Sequence, residues 1–145
     1  MPLILAVDAS VLIKAYIPEV LSEKAGELFS RVQRNEVALA APDLVYAEVG
    51  NILWKKYRLK ELTAPDVEEI SREILSFPLT VVPSKSILPL AIDFSIAYSI
   101  TVYDALYVST AILHGTKLVT ADKKLTDTLQ QTQVRENIIG LEGYC

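Results

Sequence analysis

Hydrophobic and polar positions along the chain fall into short apolar runs separated by longer segments of helical period. Leu3 to Val7 is wholly apolar, the pattern of a strand buried on both faces. Asp8-Ala9-Ser10 then offers helix-capping side chains ahead of Val11, Leu12 and Ile13, and Pro18 interrupts that segment. From about Glu19 to Arg34, the residues Val20, Leu21, Ala25, Leu28, Phe29 and Val32 recur at helical spacing. Asn35-Glu36 breaks this helix, and Val37 to Ala41 predicts a second strand. Pro42-Asp43 opens a helix to about Tyr57. Thr63 to Asp66 has the form of a capping box for a helix to about Ser76.

Leu79 to Val82 predicts a third strand, ended by Pro83, with a helix from about Ser86 to Tyr98. Thr101 caps a helix from Val102 to Leu113, which Gly115 stops in the left-handed position that favours glycine. Lys117 to Thr120 is a fourth strand, Lys123 to about Thr128 a short helix, and Asn137 to Ile139 an edge strand. Strands alternating with helices imply an α/β fold whose sheet is mostly parallel and covered on both faces. Ligands in such sheets collect outside the carboxyl ends of the strands.

Four acidic residues meet that expectation. Asp8 and Asp122 close apolar runs, Asp104 opens a helix and Glu48 lies inside one. Carboxylates gathered at one sheet end repel one another, and a bound hard divalent cation is the usual resolution. Each has a plainer role open to it. Asp8 and Asp122 suit helix caps or turns, and Thr101 to Asp104 also matches a capping box. Glu48 sits among Val45, Tyr46, Val49, Ile52, Leu53 and Trp54, so it lies on a narrow exposed stripe or is buried for a purpose.

Composition narrows the rest. The chain has 145 residues, half of them hydrophobic (51%), with a mean hydropathy of +0.31, which suits one domain over residues 1–145 with a sizeable core. No apolar run approaches the ~20 residues that span a bilayer, and the first residues lack the basic stretch of a signal peptide. The one cysteine, Cys145, has no intrachain partner and fits a reducing, cytoplasmic setting. A net charge of -4 argues against broad duplex binding. Basic residues nevertheless cluster at Lys55, Lys56, Arg58 and Lys60, and at Lys123 and Lys124, either as solvated helix faces or as a phosphate-attracting rim. His114 has no companion for a zinc site and suits a helix end. No nucleophile elbow, phosphate-binding loop or dinucleotide fingerprint occurs. Tyr46, Tyr103 and Tyr107 read as packing residues, with stacking on a base the alternative for one of them.

In order, VDASVLIKAY, PDLVYAEVGNILW, TVYDALYVSTA and KLVTADKKL resemble the PIN domain in its VapC-toxin version, over nearly the whole chain. The resemblance implies a three-layer α/β/α sandwich and an endoribonuclease dependent on Mg2+ or Mn2+. It implies an acidic set of Asp8, Glu48, Asp104 and Asp122 as catalytic and metal-binding residues, with Ser10 and Thr120 in support. It also implies a homodimer, a small antitoxin partner and an RNA substrate. Two other readings stand beside the toxin: an RNA-processing nuclease outside any toxin–antitoxin pair, and a non-catalytic RNA- or protein-binding module. A haloacid-dehalogenase-like phosphatase needs a second aspartate where this chain has Ser10.

Overall fold

The computed structural model describes residues 2–144, so Met1 and the terminal Cys145 lie outside it. Five strands form one sheet: β1 (Leu3–Val7), β2 (Val37–Pro42), β3 (Leu79–Val82), β4 (Leu118–Thr120) and β5 (Ile138–Gly140). Every pairing is parallel and the order is β3-β2-β1-β4-β5. The chain thus starts at the centre, builds outward through β2 and β3, and returns to the other side of β1 for β4 and β5. That reversal makes the β1/β4 junction a topological switch point, where the loops at the strand ends diverge and leave a crevice.

The helices are α1 (Ala9–Leu12), α2 (Ser22–Gln33), α3 (Leu44–Arg58), α4 (Ala64–Ser76), α5 (Ser84–Tyr98), α6 (Val102–Leu113) and α7 (Lys123–Leu129). Alternation along each strand sorts the core into two layers. Leu5, Val7, Leu39 and Val119 pack with Ala25 and Leu28 of α2 on one face. Ala6 and Leu118, with Ala40 in register beside Ala6, lie on the other, where Val45 and Val49 of α3, Tyr107 and Val108 of α6, and Leu125 of α7 pack. The small side chains on that second face let α6 lie close to the sheet, and seven of its residues in a row, Ala105 to Ala111, are buried. This is the α/β/α sandwich expected from the alternation of strands and helices.

Local signals hold closely. Thr63 and Asp66 exchange both bonds of a capping box at the head of α4. Gly115 has φ +60 just beyond α6. α2 begins three residues later than its periodicity predicts, because Leu21 takes the left-handed conformation (φ 69) after Pro18 and the Ser22 hydroxyl accepts from the Glu19 amide at 2.7 Å. α5 begins two residues earlier, directly after Pro83. Among the described residues no single helix is long and apolar enough to cross a membrane.

Candidate active site

β1 ends at Val7, and the chain turns at Asp8 with extended backbone (φ -104, ψ 177), so the Asp8 carboxylate caps α1 by accepting the Val11 amide at 3.2 Å. The same oxygen, Oδ1, accepts the Ser10 hydroxyl at 2.5 Å. The other, Oδ2, accepts the hydroxyl of Thr120 from the tip of the neighbouring strand β4. Thr120 in turn accepts the Asp122 amide at 3.0 Å, and Ser10 accepts the Ala121 amide at 3.2 Å. Two hydroxyls therefore lace the ends of β1 and β4 around one carboxylate. Asp8 is only 8% exposed. Burial pushes its pKa up to about 6, against the lowering effect of its three hydrogen bonds, and the charge of Asp122 adds to the rise.

Asp122 caps α7 through Oδ1, which accepts the Leu125 amide at 3.1 Å, and its side chain is exposed at the mouth of the crevice. Capping and a place on one cleft are therefore compatible at both Asp8 and Asp122. At Asp104 the cap is Thr101, whose hydroxyl oxygen accepts the Asp104 amide at 3.1 Å. The Asp104 carboxyl is half-buried in the first turn of α6. Burial raises its pKa, and the charges of Asp122 and Glu48 act in the same direction. Glu48 lies on α3, half-buried rather than on an exposed stripe, and its Oε1 accepts the hydroxyl of Tyr107 from α6. Burial first, then the hydrogen bond to Glu48 and that residue's charge, hold the Tyr107 phenol strongly in its neutral form.

All four acids line one cleft of about 420 Å³, together with Ser10, Asn51, Lys55, Tyr103 and Tyr107. Among the described residues none of the four is paired with a lysine or arginine. Nor do any three acidic, histidine or cysteine side chains form a ligand cluster as they stand. The carboxylates share a cleft but do not meet at one point, as like charges prefer. Their chemistry still suits a hard cation: the donors are all oxygen and feel one another's charge. Mg2+ takes one or two carboxylates and keeps several waters, so it does not need a closed protein cage.

Of the three tyrosines read as packing residues, Tyr46 and Tyr107 pack and Tyr103 does not. Tyr46 packs against the core as expected. Tyr103 is 61% exposed at the cleft, and Tyr107 both packs and bonds Glu48. Spacing was the available signal, since Tyr107 follows Asp104 by one helical turn and Asn51 and Lys55 follow Glu48 by one and two. The basic run divides. Lys55 faces the cleft, whereas Lys56 pairs with Glu19 and Glu61, both at 3.6 Å. Lys123 pairs with Asp127 at 3.6 Å along α7. His114 ends α6, with Nδ1 3.0 Å from the Thr110 carbonyl oxygen.

The sequence profile of the PIN domain matches residues 5–128. Ribonuclease VapC3 of Pyrobaculum aerophilum is 35% identical over 125 residues, covering 85% of this chain and 92% of that protein. The crystal structure of PAE2754 from Pyrobaculum aerophilum superposes with a TM-score of 0.67 at 26% identity, covering 98% of this chain and 93% of the other. A toxin–antitoxin complex from Klebsiella pneumoniae contains a chain of the same fold, with a TM-score of 0.63 at 19% identity, covering 94% of this chain and 96% of that one.

Proposed function

The chain belongs to the PIN domain family in its VapC form, and on that premise we propose that it is a metal-dependent endoribonuclease that cuts single-stranded or looped RNA as the toxin of a toxin–antitoxin pair. The observation that carries this reading is the cleft at the β1/β4 switch point, which four carboxylates line without a basic partner among the described residues. A site for phosphate alone has no use for such a set, and this speaks against a purely binding module.

In this reading Asp8 and Asp104 hold a Mg2+ or Mn2+ ion, with Asp122 and Glu48 completing its surroundings directly or through water. The bound cation supplies an activated water and charge stabilisation at the scissile phosphate. Ser10 and Thr120 keep both Asp8 oxygens oriented by donating to them. Glu48 or Asp122 orients the attacking water. Lys55 offers a phosphate-attracting charge beside the acids.

The ribonuclease name of the Pyrobaculum relative supports the substrate class, and the Klebsiella complex supports a small antitoxin as partner. A homodimer is part of the same proposal. Leu88, Ile92 and Ile96 leave an apolar stripe exposed along α5 that suits a second copy. Incubation with labelled single-stranded RNA tests the whole. Cleavage is expected with Mg2+ or Mn2+ and none with a chelator. Equal cleavage in chelator, or intact RNA under every metal condition, overturns the reading.

A further inference from the structure

We propose that Tyr107 is a positioning residue for Glu48, and that its hydroxyl fixes which way that carboxylate faces the cleft. The inference rests on the metal-nuclease reading of this site and adds a residue to it.

Tyr107 is 2% exposed and its ring belongs to the sheet-side core with Val45, Val49, Val108 and Ala111. Phenylalanine would fill that position as well, so packing does not require the hydroxyl. A buried tyrosine hydroxyl needs a partner, and here it donates to Oε1 of Glu48, 59 residues away in sequence. The two helices joined by this bond are α3, which carries Glu48, and α6, which carries Asp104. Tyr107 lies one turn beyond Asp104 on α6, so one rigid helix holds both an acid and the post that aims the other acid.

Glutamate has three side-chain torsions to restrain, which a loose carboxylate would have to order at each turnover. One oxygen tied to a core-packed ring removes most of that freedom in advance. Among the described residues Oε2 makes no hydrogen bond and remains for the cleft. Partners of this kind, behind a metal-binding or water-orienting group, typically contribute tenfold to a hundredfold in metal affinity or activity.

Four proteins test the proposal: wild type, Tyr107→Phe, Glu48→Ala and the double variant. Each is titrated with Mn2+ by calorimetry and assayed for turnover of a single-stranded RNA at saturating Mn2+. Tyr107→Phe is expected to weaken Mn2+ binding or turnover by about tenfold to a hundredfold. In the Glu48→Ala background the same change is expected to alter neither by more than about twofold, because its target is gone. A wild-type-like Tyr107→Phe protein overturns the proposal. So does the same fractional loss in both backgrounds, which would mean that the hydroxyl serves the fold and not Glu48. Wild-type protein that binds Mn2+ and follows the expected cycle, yet leaves RNA intact, sinks the nuclease reading alone. Wild-type protein that binds no Mn2+ overturns both.

Discussion

The hydroxyl of Thr120 donates to Oδ2 of Asp8 across 112 residues of sequence, joining the tips of two adjacent parallel strands at the switch point of the sheet. Thr120 is completely buried and its oxygen also accepts the Asp122 amide. One side chain therefore satisfies a buried carboxylate and sets the start of the turn that presents the next one. Thr120→Val keeps the shape and removes both bonds, leaving an Asp8 oxygen short of a donor. The expected cost is about 1–3 kcal/mol of unfolding free energy at neutral pH, read from urea denaturation. A loss within experimental error of zero would mean that the Asp8 carboxylate does not depend on this donor.

Burial of Asp8 makes stability depend on pH in a definite direction. Its pKa is about 6 in the folded chain against an ordinary 3.8. The folded state thus holds a proton that the unfolded state has released between these values. Unfolding free energy from this group is fully present below pH 3.8 and is lost as pH rises through about 6. The two values correspond to about 3 kcal/mol. Asp8→Asn removes this dependence. In chelator, the difference in unfolding free energy between Asp8→Asn and wild type is expected to move by up to about 3 kcal/mol in favour of the variant between pH 4 and pH 7. Chemical denaturation at several pH values measures it, and a flat difference would show that Asp8 is not held in a desolvated site.

Asp8→Asn and Asp104→Asn are expected to lower RNA cleavage by on the order of a hundredfold or more, the rate equivalent of the several kcal/mol that a metal contributes to a developing charge. Circular dichroism of Asp104→Asn is expected to match wild type, since Asp104 makes its α6 contact through its backbone amide and not its carboxylate. Either variant cutting at the wild-type rate with saturating Mg2+ would remove that residue from the site.

The fold was legible because its signals are local. Apolar runs bounded by Pro, Asn or Gly marked the strands. The Thr63/Asp66 capping box and the left-handed Gly115 marked helix ends to within a residue or two. Asp8 and Asp122 were legible because a strand end followed by a capping acid is itself a local pattern, and the structure shows both features at once in each. The bond between Glu48 and Tyr107 has no such pattern, since nothing near either residue names the other. Periodicity also could not foresee the left-handed Leu21, an apolar residue whose place in the helical rhythm concealed a turn. Adjacent lysines were indistinguishable in sequence because their difference lies in which acidic side chains the fold brings near each.

Lys55 and Lys56 make that difference testable. Lys55 faces the cleft beside Glu48, whereas Lys56 pairs with Glu19 and Glu61. A lysine that meets substrate phosphate contributes a salt-dependent, sequence-independent share of binding. Lys55→Ala is therefore expected to raise KM for RNA several-fold, leave kcat within about twofold, and reduce the salt slope of binding by about 1. Lys56→Ala breaks two partly exposed ion pairs, worth about 1 kcal/mol or less of stability, and is expected to leave KM and the salt slope unchanged. Steady-state cleavage and binding at several salt concentrations separate the two variants. Equal effects from both would show that phosphate is gathered by the basic run as a whole and not by Lys55.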